Sequence, residues 1–281
     1  MAGSIRVASQ ADLAEADRIL CAAFRRPASF LPHLNLHHRI EPGMFFVAEE
    51  NGRLAGTVGA IVYDAIAYVG LMGVDPTRQR QGIARRLLAH LLERLDERGC
   101  ETVLLDATDY GAPLYEQFGF VDDGLARLLV LEGPPPPPAA STTSISNEVE
   151  LGELVALDAA AFGASREKLL RVLLEEYGDR LLAARDRRGQ LRGYLLARDP
   201  TLGPWVALDT EAAEALLADG LQLSYLETPQ VLVPRSNEQS RAMLHRLGFV
   251  EQRTLRHMRR GGQAPPGRRA FLFGQSSFTH G

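Results

Sequence analysis

The chain has 281 residues, of which 46% are hydrophobic and 23% charged, and its net charge is −4 at pH 7. This length predicts two domains, each with its own core. The charge gives no reason to expect nucleic acid as a partner. No apolar run approaches the ~20 residues of a membrane span, so no membrane association is expected.

Two further features bear on the compartment. The N-terminus lacks the basic and apolar segments of a secretory signal. Cys21 and Cys100 are the only cysteines and stand far apart, so no disulfide framework is expected. The predicted location is the cytoplasm.

The first half alternates between strands and helices. A short strand is predicted at residues 5–7, a helix at 11–24, and then a loop rich in histidine and proline. Three antiparallel strands follow up to Val74, with turns at Asn51-Gly52 and Asp64, because Asn-Gly between apolar runs is a strong hairpin signal.

The remainder of this half predicts a parallel crossover. A long helix covers residues 81–98 and stops at Gly99, a strand covers 101–107, a short helix 112–118, and a strand region 120–131. Strand, helix, strand in this order indicates a mixed, mostly antiparallel sheet flanked by helices, an α+β fold.

A proline-rich segment, "EGPPPPPAASTTSIS", separates two halves of nearly equal size. Five consecutive prolines favour a stiff polyproline II spacer, the alternative being a ligand for a partner module. The predicted domains are therefore residues 1–131 and 148–281, joined by a linker at 132–147.

The second half resembles the first in weaker form. "MLHRLGFVEQR" matches "LYEQFGFVDDG", and "VALDTEAAEALL" is the counterpart of "VDPTRQRQGIARRLL", without its glycine and arginines. Trp205 is predicted to lie in the core or at a domain interface, and the basic run "RTLRHMRR" to form a solvated strand edge.

The start of the long helix has an unusual composition. The first amides of a helix lack intrahelical partners and carry partial positive charge. Gly82 and Ala84 remove side-chain bulk there, and positive charge is added by Arg78, Arg80, Arg85 and Arg86. This pattern predicts a cradle for phosphate or pyrophosphate. The alternative is an ordinary helix start with solvated arginines.

Two motifs in this half carry a family resemblance. "LMGVDPTRQRQGIARRLLAHLL" resembles the coenzyme A-binding motif of the GNAT N-acetyltransferases, whose glycine signature is matched here by "QRQGIA". Downstream, "LYEQFGF" resembles the family's Leu-Tyr-x-x-x-Gly-Phe. The resemblance covers about residues 5–131. The tandem arrangement resembles a bacterial subgroup in which a complete GNAT domain precedes a degenerate one.

The resemblance implies a set of coenzyme-binding positions. The strand ending at Val74 is expected to diverge from the strand at residues 103–106, and the gap to receive the pantetheine arm. The implied contacts to acetyl-CoA come from Met72, Gly73, Val74, Gln79, Arg80, Gln81, Gly82, Ile83, Ala84 and Arg85. Thr108 stands where the family often has a coenzyme-contacting asparagine.

The resemblance also implies roles in acyl transfer. Tyr115 matches the family's general acid, since a phenol retains its proton at neutral pH; the alternative is a tyrosine that only packs. Asp106 is the nearest carboxylate for a general base, although it could equally cap a turn, and a water chain could serve instead. A backbone amide of the strand is the expected oxyanion donor.

The acceptor side has weaker candidates. In related folds the loop after the first helix shapes the acceptor pocket, so His33 and His37 are candidates for substrate contact, together with Tyr110. No further ligand completes a zinc site with the two histidines, and no metal is expected.

These observations predict an acetyl-CoA-dependent N-acetyltransferase, in which an amine on a small molecule or peptide attacks the thioester directly. The second half, with Asn237 at the asparagine position and Leu244 in place of the tyrosine, is not expected to carry an active site. Two alternatives stay open: a non-catalytic acyl-CoA-binding module and a structural dimeriser. Association into homodimers is left open.

Overall fold

A computed structural model describes residues 3–134, 143–234, 237–262 and 267–281. The prediction of a polyproline rod falls largely on residues 135–142, which lie outside the described residues. Of the predicted linker, residues 144–146 form a strand that pairs with the second sheet.

The first half contains six strands and four helices of the described chain. The strands are β1 (Ser4–Val7), β2 (Phe45–Glu50), β3 (Arg53–Tyr63), β4 (Ile66–Val74), β5 (Thr102–Ala107) and β6 (Val121–Leu131); the helices are α1 (Leu13–Phe24), α2 (Leu31–Ile40), α3 (Ile83–Glu97) and α4 (Ala112–Glu116). The predicted hairpins at Asn51-Gly52 and Asp64 are confirmed, as is the parallel pairing of β4 with β5 across α3.

The second half follows the same alternation. Its strands are β7 (Ser144–Ser146), β8 (Leu181–Arg185), β9 (Leu191–Ala197), β10 (Leu202–Ala207), β11 (Gln230–Pro234), β12 (Phe249–Gly261) and β13 (Leu272–Gly274); its helices are α5 (Leu151–Phe162), α6 (Glu167–Tyr177), α7 (Thr210–Gly220) and α8 (Glu238–Arg246). The predicted mostly antiparallel sheets flanked by helices are present. The large sheet is mixed through its parallel β4–β5 pair, and the described strand pairs of the five-stranded sheet are all antiparallel.

The two halves share strands. One sheet has the order β1-β2-β3-β4-β5-β12-β6-β11, and a five-stranded sheet has the order β13-β10-β9-β8-β7. Strand β12 therefore lies between two strands of the first half, antiparallel to both. The second half supplies the strand that extends the first half's sheet beyond β5.

The prediction that "RTLRHMRR" forms a solvated strand edge is wrong, because this run belongs to β12 in the sheet interior. Three of its four arginines pair with carboxylates of the first half, Arg259 with Asp123 among them, while Arg253 lies over the Phe278 ring. Arg256 binds Asp122 and Glu116, and Arg260 binds Asp96. Three arginines of this run therefore form ion pairs with carboxylates of the first half.

The histidine- and proline-rich segment after α1 is not a loop. It forms α2, with Pro32 in the first turn, where a missing backbone N–H costs nothing. Leu34, His37 and Ile40 recur every three residues and are buried on one face. This helical period was obscured because a histidine holds one of the apolar positions.

Different elements pack on the two faces of the eight-stranded sheet. Helix α3 packs Leu87, Leu91 and Leu95 against one face. On the other face α1 and α2 pack beside the second half, and the chain segment 275–281, here called the tail, reaches back to β4. Trp205 is fully buried beside Phe273, in agreement with its predicted core position.

Candidate active site

Strand β4 is interrupted beside the expected acyl position. Leu71 has a left-handed φ of 53°, and the pairing with β3 shifts register between Gly70 and Gly73. Leu71 and Met72 therefore form a β-bulge, which re-aims backbone groups out of the regular ladder. Pairing with β5 runs only from Ile66 to Val69. Beyond that point β4 has no pairing with β5 among the described residues, and Met72, Gly73 and Val74, for which pantetheine contacts are predicted, lie on this stretch.

Helix α3 begins without a side-chain cap. Its N-cap residue, Gly82, has a φ of 76° and gives no side-chain hydrogen bond to the helix amides. A Cβ atom built at Gly82 would meet nothing within 4 Å in the described chain. The amides at the helix start thus face open space with the partial positive charge that favours an anion.

The arginines at this helix start divide into two groups. Arg78 donates to the Glu50 carbonyl at 3.1 Å and Arg86 binds the Glu50 carboxylate at 2.6 Å, so both guanidinium groups, predicted to add positive charge to the cradle, are held by Glu50. Arg85 donates to Gln117 and lies over the Phe118 ring. Arg80 is exposed, has a φ of 61°, and makes no side-chain hydrogen bond within the described ranges. Arg80 is therefore the freest cation at the cradle.

Three other predicted coenzyme positions have clear structural roles. Gln79 donates to the Val74 carbonyl at 3.3 Å and so ties the approach loop to β4. Ile83 is buried beneath the helix start. The Thr108 hydroxyl accepts from the Gly111 amide at 3.1 Å, which closes the turn into α4. Two predicted positions remain. Gln81 is exposed and precedes Gly82, and Ala84 is half-buried in the first turn of α3.

The corresponding helix of the second half, α7, has its first amides covered by a side-chain cap. At the start of α7, Asp209 accepts a hydrogen bond from the Ala212 amide at 2.8 Å and pairs with Arg192. A carboxylate of the protein thus occupies the position that an external anion would take. At α8, Asn237 is likewise a structural cap, because it accepts from Ser240 and donates to two carbonyls.

Tyr115 lies on α4, packed edge-on against Phe120 with ring centroids 5.8 Å apart. It is 8% exposed, and its hydroxyl has no hydrogen-bond partner among the described residues. Burial raises the pKa of the Tyr115 phenol, because the ionised form would lose its hydration. The group therefore carries a proton across the neutral range.

Asp106 does not cap a turn. Its carboxylate accepts from the Tyr68 hydroxyl at 2.6 Å and lies 2.7 Å from Nδ1 of His257, which is directly opposite it on β12. Burial and the neighbouring Asp106 charge raise the Tyr68 pKa well above its usual value, so Tyr68 is the donor. Gln275 donates to the Tyr68 hydroxyl at 2.9 Å.

His257 was missed by the sequence-based interpretation. It stands 151 residues from Asp106 within a run of arginines, and no local signal marks it. Only the register between β5 and β12 brings the two together.

The residues predicted to contact the acceptor differ in their burial. His37 is buried, with a ring nitrogen placed over Gly59, while His33 faces His280 of the tail at 5.9 Å between ring centroids. Thr279 of the tail lies directly against Gly70 of β4. Tyr110 is 77% exposed. The structure thus brings His33 and the tail together beside the bulge, but places Tyr110 on the surface.

The buried histidines are uncharged at neutral pH. Burial lowers the pKa of His33 and of His37 to about 4, with Arg198 and Arg26 adding to the effect at His33. Burial also lowers the pKa of His280, and neither ring nitrogen of His37 has a partner among the described residues. Within the described ranges, no three His, Cys, Asp or Glu side chains are placed to hold a metal ion.

Among the helices that the structure describes, none combines the length and apolarity needed to cross a bilayer.

Two sequence profiles match the chain. The profile of the Acetyltransferase (GNAT) family matches residues 13–120, and that of an Acetyltransferase (GNAT) domain matches residues 154–274.

Among curated relatives, the uncharacterised N-acetyltransferase YitH of Bacillus subtilis (strain 168) is 29% identical over 185 residues, which is 63% of this chain and 64% of that protein. The ribosomal protein bS18-alanine N-acetyltransferase of Escherichia coli (strain K12) is 35% identical over 86 residues, 29% of this chain and 57% of that protein. The chain thus spans less than two thirds of either relative.

Two solved structures share the fold over nearly the whole chain. A protein from Pyrococcus horikoshii assigned as an acetyltransferase superposes with a TM-score of 0.88 at 24% identity, covering 100% of this chain and 96% of the other. A GCN5-related N-acetyltransferase from Sphaerobacter thermophilus gives 0.72 at 17% identity, with coverages of 94% and 96%. With the open helix start, the bulged β4 and two matching profiles in tandem, this chain belongs to the GNAT family of acetyltransferases.

Proposed function

We propose that the protein is an acetyl-CoA-dependent N-acetyltransferase whose active site lies in the first half, at residues 1–131, and that an amine attacks the thioester directly in a ternary complex. Residues 148–281 then form a degenerate second GNAT domain, and the cytoplasm is the proposed location. The alternatives, a non-catalytic acyl-CoA-binding module and a structural dimeriser, are outcomes of the experiment below.

The contrast between the two helix starts carries the proposal. At α3 a glycine leaves the amides uncovered, whereas at α7 Asp209 covers them. An uncovered helix start beside Arg80 suits the pyrophosphate of coenzyme A. The covered helix start of α7 does not, because a protein carboxylate already binds one of its amides. This supports coenzyme binding by the first half alone.

The chemistry follows from the groups at the gap. Acetyl-CoA, as cosubstrate, supplies the acyl group. The bulged backbone at Leu71 and Met72 offers amides suited to the carbonyl oxygen, where charge develops during attack. Tyr115, protonated and without another partner in the described chain, is suited to donate a proton to the departing sulfur.

The experiment combines binding with turnover. Purified protein should gain thermal stability from coenzyme A and release free thiol from acetyl-CoA with at least one amine of a panel. Because one relative is named for the alanine of a ribosomal protein and another as a glucosamine 6-phosphate N-acetyltransferase, the panel includes an alanine-ended peptide and glucosamine 6-phosphate, with a lysine peptide and spermidine. Stabilisation without thiol release would support the binding module, and neither response would support the dimeriser.

Tyr115→Phe tests the acid. The variant should keep coenzyme A affinity within about twofold and lower kcat by about 100-fold or more, the usual range for a general acid. Tyr225→Phe is the matched control, because it also removes a partly buried hydroxyl, one that donates to the Gly220 carbonyl in the second half. Equal losses in both variants would contradict the role of Tyr115.

A further inference from the structure

We propose that His257, supplied by the second half, is the group that takes the proton from the acceptor amine, and that Asp106 and Tyr68 position it. The inference rests on the proposed function and adds a role for the degenerate half. It replaces Asp106 as the direct base.

Asp106 is not placed to meet an amine. Its side chain is fully buried, and its two oxygens are taken by the Tyr68 hydroxyl and by Nδ1 of His257. An amine could reach this carboxylate only by displacing one of these partners. A buried carboxylate with both oxygens bound orients a histidine more readily than it accepts a proton from substrate.

His257 has the opposite properties. With Nδ1–H donating to Asp106, its Nε2 carries the lone pair, because Asp106 fixes the tautomer. Nε2 has no hydrogen-bond partner in the described chain, and the side chain keeps 11% exposure. The imidazole therefore presents an accepting nitrogen that no protein group uses.

The position of His257 fits the gap in the sheet. Asp106 follows Leu105, the last residue of β5 that pairs with β4, and His257 is opposite Asp106 on the next strand. Its ring contacts that of Tyr68 at 6.2 Å between centroids, on the face where Tyr68 and Gln275 lie. His257 thus lies one strand beyond β5 from the gap, on the face opposite α3, and its ring reaches back over β5 to Tyr68 of β4.

Two side chains, His257 and Tyr115, account for both protons that move during acyl transfer. The amine nitrogen forms a bond to the carbonyl carbon and gives one proton to Nε2 of His257, while the carbon–sulfur bond breaks and the Tyr115 hydroxyl protonates the sulfur. Proton exchange with water returns His257 and Tyr115 to their starting states. An amine that enters as an ammonium ion first loses one further proton to solvent.

The charged and titratable groups around His257 are few. Asp106 and Tyr68 face it from β5 and β4. Arg269 lines the same small cavity of about 20 Å³ and is held by Asp123. The carboxylate of Asp106 and the ion-paired guanidinium of Arg269 are thus the charged groups beside the imidazole within the described residues.

The test compares two histidines of the second half. His257→Gln should lower kcat/KM for the fastest amine of the panel by about 100-fold or more at pH 7, with coenzyme A affinity within about twofold. Measured with the same amine, the pH profile of kcat/KM for His257→Gln should lack one ionisation that the wild-type profile contains, while the ionisation of the amine itself appears in both. His245→Gln, on the exposed part of α8, should match the wild type in rate and pH profile.

Asp106→Asn is the second variant, since it keeps the side-chain shape and disturbs the tautomer of His257. It should lower kcat by at least tenfold and shift the pH profile without a matching loss of coenzyme A affinity. A wild-type pH profile in His257→Gln, or rate losses that follow coenzyme affinity in both variants, would overturn the inference. Failure of the wild-type protein to release thiol with any amine would instead overturn the proposed function.

Discussion

Replacing Gly82 by alanine adds one methyl group to the open helix start. The residue has a φ of 76°, a conformation that costs an L-amino acid about 1–2 kcal/mol. Apart from its chain neighbours, the methyl group meets no atom of the described residues within 4 Å, so these residues accommodate it at that backbone cost alone. In a chain of this size each kcal/mol lowers Tm by about 2–4 °C.

The larger effect is expected on coenzyme binding. The methyl group would enter the space from which an anion approaches the first amides of α3. Losing one hydrogen bond to a charged group costs about 1.5–3 kcal/mol. We therefore expect Gly82→Ala to weaken coenzyme A binding by about 10- to 150-fold.

Gly99 at the other end of α3 provides the control. Its φ is 73°, and a Cβ atom there also meets nothing within 4 Å in the part of the chain that the structure describes, so Gly99→Ala carries the same backbone strain far from the helix start. Calorimetric titration with coenzyme A at fixed ionic strength, together with thermal melts, separates strain from binding. Equal coenzyme affinities for the two variants would refute the cradle.

Three further predictions concern stability and the second half. Asp209→Ala should cost about 1 kcal/mol in urea unfolding through loss of the α7 cap, while leaving coenzyme A affinity and turnover unchanged; lowered affinity would place a coenzyme site in the second half. Arg166→Met should cost about 3–5 kcal/mol, because it strands the fully buried Asp158 carboxylate; adding Asp158→Asn should recover part of the loss in the same assay. The Thr77 hydroxyl and then Arg18 lower the pKa of Asp75 from 3.8 to about 2, so its contribution is present above pH 3.8 and is lost as the pH falls towards 2. Asp75→Asn should flatten this part of the stability profile, and an unchanged acid limb would contradict the assignment.

The local features of the fold could be predicted because their causes are local. Gly82 and its neighbours are adjacent in sequence, and the unpaired amides they uncover belong to the first turn of one helix. The Asn51-Gly52 turn and the crossover through α3 follow from turn chemistry and apolar period in the same way. The missed α2 is the exception, since buried His37 breaks an otherwise apolar period.

The partners of Asp106 could not be predicted in this way. Its carboxylate is adjacent in sequence to turn residues, and its environment is set by Tyr68, His257 and the tail, which come from three distant segments. Likewise, the arginines of β12 suggest a solvated edge until the acidic residues they bind are located.

The sequence by itself determined the helix start, the tyrosine that follows it, and the loss of both in the second half, because each depends on residues within one or two turns of chain. Only the tertiary structure decided that β12 enters the first half's sheet and places His257 on Asp106. Pairing between remote strands depends on which sheet edges and faces the rest of the chain leaves free. It is therefore set by the whole chain and cannot be read from a single motif.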